Sequence, residues 1–320
     1  MQIIKPSPEV VPFGLRALKM VATADGTFSD AERSLIDTAL RFFGGGLAEA
    51  VDLDALPPIL PAELAERLPD PAHRRQLVRA MVIVSIVDGE ASPAEAAVVE
   101  SFAEALGVKS PDLVALRDLA ERHLVRARFD VARRFFAREK AIEYAKEKGL
   151  GWVLRSLAAM AGLREDATIA QRYLDLEHAP VGSLGRAYFD FVRGNQFTFP
   201  GERGSPPEVI VLHDLTHVLS GYGTDPEGEL DVLAFHTGCR REEKDPFSFL
   251  LFGIAEFHLG LAMSPVAASA RGKLDPERMF RALARGAACK IDPTDGWDFW
   301  AVVNEPLAAL RERYGITPLS

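Results

Sequence analysis

The chain is poor in cysteine, with two among 320 residues, Cys239 and Cys289, so no disulfide framework supports the fold. It has no excess of basic charge. Lys and Arg total 37 against 46 Asp and Glu, and the net charge of −9 argues against general nucleic-acid binding, which needs a basic face. Runs of alternating β-branched residues are scarce, which disfavours a sheet. The start, from Met1 to Pro8, has neither the apolar stretch of a signal peptide nor the Arg- and Ser-rich pattern of a transit sequence. A cytoplasmic bacterial protein is the simplest expectation. The most apolar run, Phe247 to Met263, is short for a membrane span and contains Glu256 and His258. It reads as a buried core helix or as one wall of an apolar channel.

What is present is helical spacing in nearly every long segment, which predicts an all-α fold of two helical domains, residues 1–128 and 129–320. Even Val209-Ile210-Val211-Leu212, apolar enough for a strand, leads so directly into the next helix that it reads as helical.

The first domain contains an internal echo. Ala24-Asp25-Gly26-Thr27-Phe28-Ser29-Asp30-Ala31-Glu32 is answered by Val87-Asp88-Gly89-Glu90-Ala91-Ser92-Pro93-Ala94-Glu95. Each pairs an Asp-Gly turn with Ser-x-x-Glu, the reciprocal cap of a following helix. Pro93 falls at a first helical position, where its missing N–H costs nothing. Each echo also follows an apolar helix, so the unit is helix, turn, capped helix, twice. Over about residues 10–125 this resembles the TerB-like domain of the tellurite-resistance family. The resemblance implies a helical domain whose acidic turns, here Asp25, Asp88 and Glu90, are suspected of holding metal. Turn and cap chemistry alone also accounts for these positions, and they lack the ligand spacing of an EF-hand loop.

Residues 121–148 are rich in arginine (Arg122, Arg126, Arg128, Arg133, Arg134, Arg138), interrupted by Phe135 and Phe136. They read as a solvated helix joining the domains, or as a contact for anionic lipid.

The most specific signal is His213-Asp214-Leu215-Thr216-His217, eleven residues, then Glu229. Two imidazoles four apart sit about 40° from each other around a helix, so both can face one cation. The intervening Gly221-Tyr222-Gly223-Thr224-Asp225-Pro226-Glu227-Gly228 is full of turn formers. It lets a second helix aim its first turn back at the pair. Two nitrogens and one or two carboxylate oxygens, from Glu229 and Asp214, make a first shell for zinc, with iron and manganese as alternatives. The zinc-peptidase signature needs Glu after the first His. Asp214 stands there with a shorter stem, which disfavours a peptidase.

The other histidines carry less. His73 and His123 read as surface residues and His178 as a loop residue. His236 lies two turns beyond Glu229, where it either lines the site or packs, and His258 has the same alternatives. Cys239 has no second cysteine near it in sequence to make a thiolate site.

The motif His-Asp-x-x-His, eleven residues, Glu resembles the Coq-four family of ubiquinone biosynthesis proteins. The resemblance spans roughly residues 150–318. Upstream it takes in Gly182 to Phe189 and Asn195-Gln196-Phe197-Thr198, and downstream Trp297 to Trp300, Pro306-Leu307 and Leu310-Arg311. The approach to His213, Pro206 to Leu212, departs from the Arg- and Tyr-rich approach of mitochondrial members. What the resemblance implies is metal-dependent removal of the C1 carboxylate, with or without hydroxylation there, from a polyprenylated 4-hydroxybenzoate. Asp214 or Glu229 would move the proton. The alternative is a non-catalytic isoprenoid-binding scaffold. A third reading, an adaptor responding to metal or stress, rests on the first domain. The implied partners are an isoprenoid lipid, the inner face of a membrane, other quinone-biosynthesis proteins and a second copy of the chain.

Overall fold

The computed structural model describes residues 3–45, 51–134, 142–146, 149, 151, 158, 165–264 and 267–319. Among them the ordered elements are helices, and no strand is present beyond the isolated bridges Ser183–Pro306 and Leu259–Arg271. The all-α expectation holds. None of these helices is long and apolar enough to cross a membrane.

The described chain forms two compact units. One takes residues 2–132 and 251–281, the other residues 133–250 and 282–320. The expected division was a single cut after residue 128; in the structure, residues 251–281 group with the N-terminal part instead. Packing accounts for that grouping: Phe280 stacks on Phe42 with ring centroids 5.3 Å apart, and His258 is hydrogen-bonded to the carbonyl of Val87 at 2.8 Å.

The N-terminal unit holds α1 (Val11–Ala22), α2 (Asp30–Gly44), α3 (Pro61–Arg67), α4 (Pro71–Val84), α5 (Pro93–Ala105), α6 (Pro111–Ala120) and most of α7 (Leu124–Arg134). Both echoes fold as the caps predict. Ser29 Oγ accepts the backbone N–H of Glu32 at 3.2 Å while the Glu32 carboxylate accepts that of Ser29 at 2.7 Å. The Ser92–Glu95 pair repeats this, with both bonds at 3.3 Å. Gly26 and Gly89 take φ of 97° and 99°, where a side chain would strain the turn.

Asp25 accepts from the Thr27 amide and hydroxyl, and Asp88 from the Glu90 amide, so both aspartates close their own turns. The two capping glutamates are buried, 2% and 3% exposed, and are hydrogen-bonded to each other. Burial, the contact with Glu32, and the charges of Glu32 and Asp88 push Glu95 up to about 9. Burial likewise raises Glu32, against the hydrogen bonds it accepts.

Arg122, before α7, and Arg126 and Arg128 on it are exposed as a solvated helix requires, but Val125 and Phe129 are exposed beside them. Phe135, Phe136 and Arg138 lie outside the described residues.

The C-terminal unit contains α8 (Ala167–Leu174), α9 (Leu184–Gly194), α10 (Val211–Ser220), α11 (Pro226–Cys239) and α14 (Leu307–Tyr314). Helices α12 (Phe247–Phe257) and α13 (Pro276–Ala288) are each shared between the two groupings. Residues 208–210 form a short 3-10 turn continuous with α10, so the apolar approach to His213 is helical as its position predicts. Helix α12 is buried along its length, as a core helix should be.

Two ionisable residues at the C-terminal end of α12 bond to nearby backbone, although Glu256 Oε1 has no hydrogen-bond partner among the described residues. Glu256 accepts the amides of Met263 and Ser264, and His258 links the Val87 carbonyl to the Leu274 N–H, accepting the latter at 3.1 Å. His258 is therefore a structural residue. His73 sits 3.4 Å from Asp70, His123 is exposed beside Glu121, and His178 ends an exposed 3-10 turn.

Candidate metal centre

Helix α10 begins without a side-chain cap and ends at Gly221, whose φ of 85° turns the chain away. The last carbonyls of a helix have no partner within it. Here two guanidinium groups supply them: Arg311 donates to Leu219 O at 2.9 Å and Val218 O at 2.8 Å, and Arg285 to Ser220 O at 2.9 Å. The helix that carries both histidines is thus held by residues 65 and 92 positions away.

The return is equally constrained. Asp225 caps α11 by accepting the Gly228 amide at 2.7 Å, Pro226 occupies the first turn, and Thr224 donates to Asn195 at 3.0 Å. A side chain on Gly228 would lie 2.3 Å from the carbonyl oxygen of Gly223, so only glycine lets the turn close this tightly. Glu229 is then delivered to α10.

Three side chains converge. His213 Nε2 lies 3.1 Å from Glu229 Oε2, His217 Nε2 lies 3.4 Å from Glu229 Oε1, and the two Nε2 atoms are 3.2 Å apart. An imidazole N–H points in one direction, so hydrogen bonds cannot serve all three of these contacts. One cation can. Ligands about 2.0–2.1 Å from a tetrahedral zinc stand roughly 3.3–3.4 Å from one another, close to the 3.1–3.4 Å seen here. Among the described residues these three form the one group of His, Cys, Asp and Glu that meets metal-ligand geometry.

The imidazoles are oriented from behind. His217 Nδ1 donates to the carbonyl of Tyr222 at 3.2 Å, because a carbonyl can only accept. Loss of the Nε2 proton then leaves the lone pair on the side of Glu229, the tautomer a metal ligand requires. Phe191 stacks on the His217 ring at 5.6 Å, and His236 stacks between His213 (5.6 Å) and Phe249 (4.8 Å). His236 thus packs behind the centre. His217 is sealed, whereas the side chains of His213 and Glu229 keep 16% and 17% of their surface, so the centre is reached from their side.

Charge follows geometry. Burial alone would raise Glu229, but the hydrogen bonds and charges of His213 and His217 outweigh it and hold the carboxyl down at about 2. Burial would lower His217; Glu229 outweighs it and raises the imidazole. Burial drives His236 well below its ordinary value, and the neighbouring imidazoles add to the shift.

Asp214 behaves differently. It does not belong to the converging group, because one residue along a helix turns the side chain by about 100°. The sequence offers it as an optional further ligand beside Glu229, and it stands outside this group of three. Burial raises its carboxyl to about 6, with Glu229 adding and the two histidines opposing. It also acts on Tyr188, a buried phenol raised well above its usual value by its own burial and by the Asp214 charge.

Asp25, Asp88 and Glu90 join no such group. Three features escaped the sequence: the arginine caps on α10, the aromatic stacks, and the meeting of Cys239 with Cys289. Residues that distant carry no local spacing to announce them.

Comparison with known proteins bears on the N-terminal unit. Residues 59–118 match the family model described as Tellurite resistance protein TerB. The matched stretch covers α4, its Asp-Gly turn and capped α5, and stops short of the first echo. No curated protein matches the chain, nor does any solved structure. The chain therefore carries a TerB-like helical segment.

Proposed function

We propose that the C-terminal unit is a divalent-metal centre held by His213, His217 and Glu229, zinc being the first choice and iron or manganese the alternatives. We propose further that it removes the C1 carboxylate of a polyprenylated 4-hydroxybenzoate, with or without hydroxylation there. The observation that carries the metal reading is the convergence of three side chains with donor atoms 3.1, 3.2 and 3.4 Å apart. The substrate rests on the resemblance of the His-Asp-x-x-His, eleven, Glu motif to the Coq-four family.

A bound divalent cation would hold a carboxylate or phenolate oxygen of the ring as an anion. With three protein ligands, a tetrahedral shell keeps one position for that oxygen. Glu229, held at about 2, stays ionised at neutral pH and serves as ligand rather than acid. Asp214, raised to about 6 and standing outside the group of ligands, would supply the proton that C1 takes as carbon dioxide leaves, since a proton carrier works best near the ambient pH. The assignment splits the two carboxylates: one binds, one moves the proton. The isoprenoid tail would need an apolar path, each buried CH₂ contributing about 0.8 kcal/mol. The exposed Val125 and Phe129 beside Arg126 and Arg128 favour contact with an anionic membrane face from which such a lipid comes.

The test is carbon dioxide release from carboxyl-labelled polyprenyl 4-hydroxybenzoate by metal-loaded protein. Asp214→Asn is expected to keep the metal and lose about 100-fold or more in rate, the usual worth of a general acid. Absence of release by the fully metal-loaded native chain would refute the lyase and leave an isoprenoid-binding scaffold.

A further inference from the structure

The two cysteines of this chain stand 50 positions apart and meet in space. Helices α11 and α13 cross with their backbones in contact. A Cβ on Gly238 would lie 2.3 Å from Leu283 O and 2.5 Å from Ala287 N, and one on Gly286 would lie 2.0 Å from Phe235 O. Next along the chain, Arg240 reaches Thr294 Oγ1 at 2.9 Å and approaches Asp292 at 3.9 Å. Cys239 and Cys289 lie between these two contacts, and their thiols are hydrogen-bonded to each other. Neither residue is sealed from solvent.

We propose that Cys239 and Cys289 are a reversible dithiol–disulfide pair, oxidised by a hydroperoxide and reduced by a small dithiol, independent of the metal centre. The two sulfurs are unequal. The Cys239 S–H donates to Cys289, which with the amides of Ile291 and Lys290 pulls the Cys289 thiol below its usual value. Burial and the same donated bond push Cys239 well up. The thiolate is the nucleophile, so Cys289 attacks first.

In the first step the Cys289 thiolate bonds to one peroxide oxygen, the O–O bond breaks, and the other oxygen leaves as water or an alcohol after taking a proton. Cys289 is then a sulfenic acid. In the second step the Cys239 sulfur attacks that sulfur, its proton and the hydroxyl leave as water, and the S–S bond forms. Two thiols lose two electrons and one hydroperoxide gains them. The bond would join the C-terminal ends of α11, whose first turn carries Glu229, and α13, whose Arg285 holds the histidine helix.

The full-length protein, with a chelator present to exclude free iron, is treated with equimolar hydrogen peroxide and then alkylated. The expected result is loss of both titratable thiols, a mass decrease of two hydrogens, one peptide pair joined through Cys239 and Cys289, and recovery of both thiols with dithiothreitol. C239S should stop at the sulfenic acid, trapped by dimedone on Cys289. C289S should leave Cys239 a free thiol at the same dose. Two thiols surviving in the native chain, disulfides between chains, or oxidation of Cys289 past the sulfenic acid without a disulfide would each overturn the proposal. The native-chain measurement decides the matter even where a variant fails to fold.

Discussion

Glu95 and Glu229 occupy nearly the same local sequence and meet opposite fates. Each lies in the first turn of a helix, behind a glycine-containing turn, with proline at the helix start (Pro93 and Pro226). A helix N-terminus favours a carboxylate in both places. Yet Glu95 is pushed up to about 9 and Glu229 held at about 2. The difference lies across the packing interface. Glu95 faces its own echo, Glu32, with Asp88 adding a like charge, whereas Glu229 faces two imidazoles. Burial penalises charge in both cases; the partner decides whether the penalty is offset. One pair of buried acids is therefore a structural cap that shares a proton. The other arrangement is a set of ligands.

The sharpest way to break the comparison is to remove an imidazole. His217→Ala should weaken divalent-metal binding by more than about 100-fold, beyond what loss of a supporting hydrogen bond to a ligand costs. The helical signal of the N-terminal unit should survive, because its caps share nothing with that centre. Elemental analysis after gel filtration, paired with thermal melts, would show a retained metal if the ligand set is wrong.

A smaller effect is expected from Arg311→Ala. It leaves the carbonyls of Val218 and Leu219 without their donor, at a cost of about 1–3 kcal/mol. Metal affinity should fall with it, since α10 carries both histidines. An unchanged melting midpoint would mean that water takes over the caps.

The smallest effect concerns Glu95. Its folded pKa lies above its unfolded value, so its stabilising contribution is complete below about 4.5 and is lost as pH rises toward about 9. Glu95→Gln cannot titrate and should melt higher than the native chain at pH 9, by about 2–4 °C, with the gap shrinking toward pH 5. A gap that stays constant with pH would refute the shared proton.

Much of this was legible because local periods decide it. The four-residue spacing of His213 and His217 places both on one helix face, and Ser-x-x-Glu writes each cap into four residues. The glycine-rich turn brings Glu229 home. Asp214 stands outside the group of three, since adjacency in sequence is not adjacency on a helix, where one step is about 100°. The caps from Arg285 and Arg311, the Cys239–Cys289 meeting and the grouping of residues 251–281 with the N-terminal unit depend on tertiary packing. No spacing rule reaches that far.

X-ray absorption at the zinc edge of the zinc-loaded native chain reads the ligand shell itself. The account predicts one zinc per chain with two imidazole nitrogens and carboxylate oxygen at about 2.0–2.1 Å. It also predicts release on acidification, because zinc must compete with the proton that Glu229 favours on His217. Substoichiometric zinc at neutral pH, or a shell containing sulfur, would contradict it.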